Sequence, residues 1–267
     1  ILFYDITTLP FAMGLPFELL PQQGPVPDRP VRTLDDVKRL EGQPDPTSYD
    51  HILQLLKRVK EELRGELPVL VFAGAPFTVA TYCIGTGKDM EATRRFAAEK
   101  PKVWDALLEK LGAATVSFIN ELSRRGADAY QLFDSWAGML TPAEYDRWAR
   151  TQHQVILTAA RSIPRILFVK ECPYLEAMTQ SGADVISLGK RHDLAAARRD
   201  YPSLVFQGNV DEDILRAGTP AEVEEATRRC LAAGGGRRHI LNLNHGVDRA
   251  TPVANFEAFV QTARSMS

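Results

Sequence analysis

The chain has 267 residues, 45% of them apolar and 25% charged, with a net charge of −2. This is the make-up of a globular protein able to bury a large core, and it excludes a disordered chain. The near-neutral charge gives no electrostatic basis for holding nucleic acid or an anionic membrane surface. No apolar stretch approaches the ~20 residues that span a bilayer, and no basic leader precedes one. Cys83, Cys172 and Cys230 are odd in number, far apart and without a Cys-x-x-Cys pair. Reduced thiols in the cytoplasm are therefore expected, without a disulfide framework.

Taken in chain order, the first apolar run is Ile1–Tyr4, which ends in Asp5. Leu15–Pro30 holds five Pro and one Gly and reads as an ordered excursion built on turns. Thr47 is placed to cap a helix through Tyr49–Arg64, with Ile52, Leu55, Leu56, Val59 and Leu63 on one stripe and Gly65 as its stop. Val69–Ala73 then leads into Gly74-Ala75-Pro76. Pro101 suits the first turn of a helix to Arg125, closed by Gly126, and Ala129–Phe133 runs into Asp134-Ser135. Thr141-Pro142-Ala143-Glu144 has the form of a capping box and opens a helix to about Arg161. Beyond it, Ile166–Val169 ends in Lys170-Glu171, Val185–Leu188 in Gly189-Lys190, Leu204–Phe206 in Gln207-Gly208-Asn209, and Ile240–Leu243 in Asn244-His245-Gly246. Helices are expected over Tyr174–Gln180, Leu194–Arg199, Glu212–Arg216, Ala221–Ala232 and Val253–Ala263.

Seven short apolar runs without polar alternation are the mark of strands buried on both faces, and helical segments separate them. The pattern predicts one α/β domain over residues 1–267, a (β/α)8 barrel of the TIM type. A closed barrel needs eight strands. The missing β–α unit is expected upstream of Ile1, so the chain reads as N-terminally incomplete.

In such a barrel the residues after each strand form the mouth. Asp5 is a candidate anion there, against the plainer reading of a loop or capping Asp. The run Gly74 to Tyr82 brings backbone close to a ligand and offers a phenol, or is simply a strand-to-helix turn with a packing aromatic. Phe133-Asp134-Ser135-Trp136-Ala137-Gly138 supplies a carboxylate and a hydroxyl; with Phe at 133 it is not a nucleophile elbow, so Ser135 reads as a hydrogen-bond donor to a ligand. His245 is a candidate carboxylate donor or proton carrier, with a structural histidine as the alternative. Lys170, Lys190 and Arg191 lend positive potential to the mouth or are solvated surface charges. Lys170 stands two before Cys172, where a zinc site would need His, so no metal is expected.

Five segments in order, Phe3-Tyr4-Asp5-Ile6, Gly74–Thr78 with Tyr82, Leu132–Gly138, Gln207-Gly208-Asn209-Val210-Asp211 and Asn242–Val247, resemble the uroporphyrinogen decarboxylase family. The resemblance implies a cofactor-free (β/α)8 barrel, usually a homodimer. The implied activity removes CO2 from the four acetate side chains of uroporphyrinogen III to give coproporphyrinogen III in heme biosynthesis. By it, Asp5 accepts hydrogen bonds from the pyrrole N–H groups and stabilises the cation formed on protonating a pyrrole carbon, as a preorganised anion should. Tyr82, Ser135 and His245 match positions that contact substrate, and Phe3 and Phe133 line the apolar wall beside the macrocycle. The family's Arg-Gln-Ala-Gly-Arg segment after the first strand has no counterpart in this chain. Asn244 stands for a usual Gly, Glu212 for a usual Pro, and Gly189-Lys190 where Asp-Trp is frequent.

Two other readings compete. A barrel methyltransferase of the zinc or cobalamin type would need a His-x-Cys plus a distant Cys. A barrel that binds a tetrapyrrole without catalysis needs only the pocket.

Overall fold

The computed structural model describes residues 1–20 and 24–266. Its core is a parallel sheet of β3 (Leu70–Gly74), β4 (Ala129–Asp134), β5 (Arg165–Val169), β6 (Val185–Ser187), β7 (Val205–Gln207) and β8 (His239–Ile240), paired in sequence order. A separate antiparallel hairpin, β1 (Phe17–Leu20) and β2 (Gly24–Pro27), occupies the proline-rich stretch expected to form turns. Residues 21–23 of that stretch lie outside the described residues.

The helices are α1 (Thr8–Ala12), α2 (Leu34–Arg39), α3 (Asp50–Leu63), α4 (Pro76–Cys83), α5 (Met90–Glu99), α6 (Pro101–Arg124), α7 (Pro142–Glu144), α8 (Thr151–Ala159), α9 (Leu175–Thr179), α10 (Leu194–Asp200), α11 (Glu212–Ala217), α12 (Pro220–Gly234) and α13 (Val253–Ser265). No helix among the described residues is long and apolar enough to cross a membrane. Thr141 and Glu144 form the expected capping box, and Tyr145–Arg150 joins α7 to α8 as a π-helical turn. Asp45, not Thr47, caps the turn Pro46–Tyr49 that leads into α3: its carboxylate accepts from the Thr47 amide. On α3 it is Leu53, beside Ile52 and Leu56, that is buried, while Leu55 faces solvent.

The first apolar run is not a strand. Leu2 N donates to Leu70 O at 2.7 Å, but the backbone groups of Phe72 are taken by a side chain: the Tyr4 hydroxyl accepts from Phe72 N and donates to Phe72 O. Tyr4 also stacks on the Phe72 ring with centroids 4.4 Å apart. A phenol thus fills the place of the next ladder bonds. Leu2 and Tyr4 are buried while Phe3 and Asp5 are exposed, so the run alternates rather than being covered on both faces. Six strands of the expected α/β barrel thus pair in parallel and in sequence order, and no strand pair joins β8 to β3 among the described residues.

The sheet is nonetheless strongly curved. Gln207 Nε2 on β7 donates to Gln131 Oε1 on β4 at 3.0 Å and to Ser187 Oγ on β6 at 3.2 Å. In a flat sheet β4 and β7 would lie about 14 Å apart, three inter-strand spacings. Side chains standing up from such a sheet would not meet, so these three buried polar residues mark its concave side. The parallel register puts Phe133 and Phe168 on the same side. Alternate residues, including Tyr130, Leu132, Leu167 and Ile186, are fully buried on the opposite face, as expected where helices cover a parallel sheet.

Candidate active site

A row of aromatic rings crosses the sheet near its C-terminal end. Phe3 lies 6.2 Å from Phe72, Phe72 5.4 Å from Phe133, Phe133 5.2 Å from Phe168, and Phe168 6.3 Å from the His245 ring, all measured between centroids. Residues more than a hundred positions apart become one wall because adjacent parallel strands present the same face in register. Phe3, Phe133 and His245 are thereby brought together. Phe168 belongs to the same wall; the signal for it was its place two residues before Lys170, on the side that parity assigns to the mouth.

Asp5 follows Phe3 on the exposed side. Its Oδ1 accepts from Thr7 N at 2.8 Å and from Thr7 Oγ1 at 2.5 Å, which fixes the carboxylate at the entry to α1. Oδ2 has no hydrogen bond among the described residues. Tyr82, on α4, is half-buried. Burial raises its phenol above the ordinary tyrosine value; Trp136 opposes the rise, and the Asp5 charge adds to it. The phenol therefore stays protonated at neutral pH and can donate. Trp136 follows Ser135, so the Asp5–Tyr82 pair adjoins the segment after β4. The Trp136 indole Nε1 has no hydrogen-bond partner among the described residues.

Asp134 does not join this group. It is fully buried on the far face of β4, where Oδ1 accepts from Thr78 Oγ1 at 2.6 Å and Oδ2 meets His153 Nε2 at 2.8 Å. Thr78 Oγ1 in turn accepts from Trp136 N at 3.1 Å. The carboxylate at this strand end thus braces the segment carrying Ser135 instead of facing a ligand.

Ser135 is half-buried and lines a cavity of about 310 Å3 with Trp136, Lys170, Glu171 and Arg191. His245 lines an adjoining cavity of about 490 Å3 with Lys170, Glu212, Arg216 and Arg249. Partial burial of the ring, and then the Lys170 ammonium, hold the His245 imidazole below its ordinary value; Glu212 and Glu171 pull the other way. His245 is thus neutral near pH 7 and gains its charge only in more acid solution or beside a bound anion. Lys170→Met is expected to move this titration upward in an NMR experiment, because a repelling charge is removed. An unmoved value would mean that Lys170 exerts no field on the ring.

Asn244, beside His245, is buried and accepts from Glu212 N at 2.9 Å, so it anchors the start of α11. The thiol pattern of a zinc methyltransferase is not assembled. Cys83, Cys172 and Cys230 are buried, and burial raises all three thiols, Cys172 to about 11. Among the described residues the groups that bring three possible ligands together reduce to Asp211, Glu212 and Asp213. Lys190 Nζ lies 3.0 Å from Asp213 and 3.6 Å from Asp211, and Arg216 lies 2.7 Å from Asp213, whereas Glu212 Oε2 is buried with no hydrogen-bond partner among the described residues.

The chain resembles known proteins along its whole length. The family model described as uroporphyrinogen decarboxylase matches residues 1–266. A uroporphyrinogen decarboxylase of Synechococcus sp. (strain JA-3-3Ab) is 35% identical over 271 residues, covering 99% of this chain and 75% of that protein. One from Vibrio cholerae is 33% identical over 279 residues, covering 100% of the chain and 78% of that protein. Among solved structures, a methyltransferase from Methanosarcina mazei superimposes with a TM-score of 0.80 over 99% of this chain and 79% of its own, at 17% identity. At that identity the likeness is one of fold. With the family model matching residues 1–266 and relatives 33–35% identical over the whole of this chain, the chain belongs to the uroporphyrinogen decarboxylase family.

Proposed function

We propose that this chain is a carboxy-lyase that converts the four acetate side chains of uroporphyrinogen III to methyl groups, giving coproporphyrinogen III in porphyrin and heme biosynthesis. The observation that carries the reading is an exposed carboxylate, Asp5, held by Thr7 at one end of a continuous aromatic wall whose other end is His245. A flat, apolar macrocycle edged with carboxylates has that complementarity: rings against Phe3, Phe72, Phe133 and Phe168, pyrrole N–H groups toward Asp5, acid side chains toward the cations at the rim.

The chemistry follows from the substrate's own electrons. Protonation of a pyrrole carbon gives a cation into which the acetate C–C electrons flow as CO2 leaves. A second proton on the resulting methylene carbon and loss of the first restore the pyrrole, so the balance is one acetate and one proton to one methyl and one CO2. Asp5 lowers the barrier by being negative where positive charge develops. Tyr82, protonated beside Asp5, and Ser135 donate hydrogen bonds, and His245 receives a carboxylate and becomes cationic as it does so. This scheme uses no cofactor. The reading extends to one domain over residues 1–267 and to a cytoplasmic homodimer, which sedimentation would test.

Anaerobic incubation with chemically reduced uroporphyrinogen III, with products resolved by carboxylate number, tests the activity. Stepwise appearance of seven- to four-carboxylate porphyrinogens is expected; unchanged substrate in the presence of folded protein would point to binding without catalysis. His245→Ala is expected to raise KM about tenfold, the worth of one charge-assisted hydrogen bond, with a smaller change in kcat. Kinetics identical to the parent's would return His245 to a structural role.

A further inference from the structure

We propose that Lys170 binds a substrate carboxylate between the Ser135 and His245 sides of the mouth, and so favours the acetate-rich macrocycle over its decarboxylated products. This rests on the tetrapyrrole reading above, and three independent observations support it.

The first is position. The cavity lined by Ser135 and the cavity lined by His245 share one residue, Lys170. It follows Phe168 by two along the strand direction, on the side of the aromatic wall.

The second is an unanswered charge. Arg216 has Asp213 at 2.7 Å, Lys190 has Asp213 at 3.0 Å and Arg191 has Glu171 at 3.8 Å, while Arg249, on the rim of the His245 cavity, is without an ion pair among the described residues, as Lys170 is. Lys170, although half-buried, has no ion pair among the described residues. A partly desolvated ammonium without a counter-ion is costly unless an anion arrives to meet it.

The third is that its backbone is held from two sides. Glu171 adopts a left-handed φ of +47°, uncommon for a residue with a side chain. Gly138, after β4, packs so closely that a Cβ there would lie 2.1 Å from Lys170 O. Gly189, after β6, packs from the other side, where a Cβ would meet Glu171 Oε1 at 2.8 Å and its Cα at 3.3 Å. A solvated surface lysine needs no such clamp. Strain maintained by close packing is a device for aiming a group.

The test is equilibrium binding of two oxidised porphyrins, uroporphyrin with eight carboxylates and coproporphyrin with four, followed by fluorescence, alongside anaerobic turnover. Lys170→Met is expected to weaken uroporphyrin about tenfold and coproporphyrin much less, to flatten the salt dependence, and to raise KM more than it lowers kcat. Lys170→Arg should restore most of the uroporphyrin affinity, which a structural role would not predict. Lys170→Gln serves as the charge deletion if the Met variant fails to fold. Equal weakening of both porphyrins, or unchanged uroporphyrin affinity in folded Lys170→Met, would overturn the proposal. Lys170-dependent selective binding by a parent protein that shows no turnover would support the carboxylate site while removing the decarboxylase reading, so the two failures are distinct.

Discussion

Asp5→Asn is expected to yield a protein that folds as the parent does and loses about 10²- to 10³-fold in kcat, the usual size of removing one preorganised electrostatic group. The fold should survive because the amide keeps an Oδ1 able to accept from Thr7 N and Thr7 Oγ1, the two bonds that fix the turn into α1. Turnover should not survive, because the amide carries no charge to set against the pyrrole cation, and its NH2 turns a donor toward N–H donors. Uroporphyrin affinity should fall much less than kcat if the charge acts mainly in the transition state. The anaerobic product assay with circular dichroism decides it. Decarboxylation within a few-fold of the parent by the folded variant would dismiss Asp5 from the chemistry.

The second large effect is expected at a residue that never meets substrate. Asp134→Ala should lower stability by about 3–5 kcal/mol, the range for removing one partner of a buried charged or polar pair. In a chain of this size that corresponds to a fall in Tm of roughly 6–20 °C. Asp134 and His153 are both fully buried, and Thr78 Oγ1 shares the carboxylate. Truncation leaves the His153 Nε2–H and the Thr78 hydroxyl without their acceptor in a region closed to water. His153 Nδ1 already has no partner among the described residues, so the imidazole would lose its remaining bond. Activity should fall as well, through the Thr78–Trp136 contact that steadies the segment of Ser135. A melting curve within about 1 °C of the parent's would show that this pair contributes nothing beyond what repacking recovers.

The α/β reading of the chain came from apolar runs and caps, which are local signals. Pro101 and the Thr141–Glu144 box start helices as expected, and six of the seven runs overlap strands of one parallel sheet. Ile1–Tyr4 shows where that reasoning stops. Its four residues are apolar and strand-like, yet the Tyr4 hydroxyl outcompetes a strand backbone for Phe72, which depends on a partner 68 positions away. The hairpin at Phe17–Leu20 and Gly24–Pro27 was hidden for the opposite reason: its prolines read as breakers, whereas a two-stranded edge tolerates them.

At the site, composition at the strand ends pointed to Asp5, Tyr82, Ser135 and His245 as candidates, since short-range chemistry identifies which groups could act. Which side of the strand each one takes is a different matter. Asp134 and Ser135 are neighbours, and one braces the interior against His153 while the other lines the mouth. Lys170 looks like any surface lysine until Gly138 and Gly189 are seen pressing on its turn from two other loops. Periodicity along one chain segment can say that successive side chains alternate, and so by itself it determined the six strands of the parallel sheet, most of the helices and the shortlist of reactive groups. Only the curvature of the sheet and the packing of helices on its outer face decided which alternate set faces the ligand, because that choice is made by contacts between segments far apart in sequence.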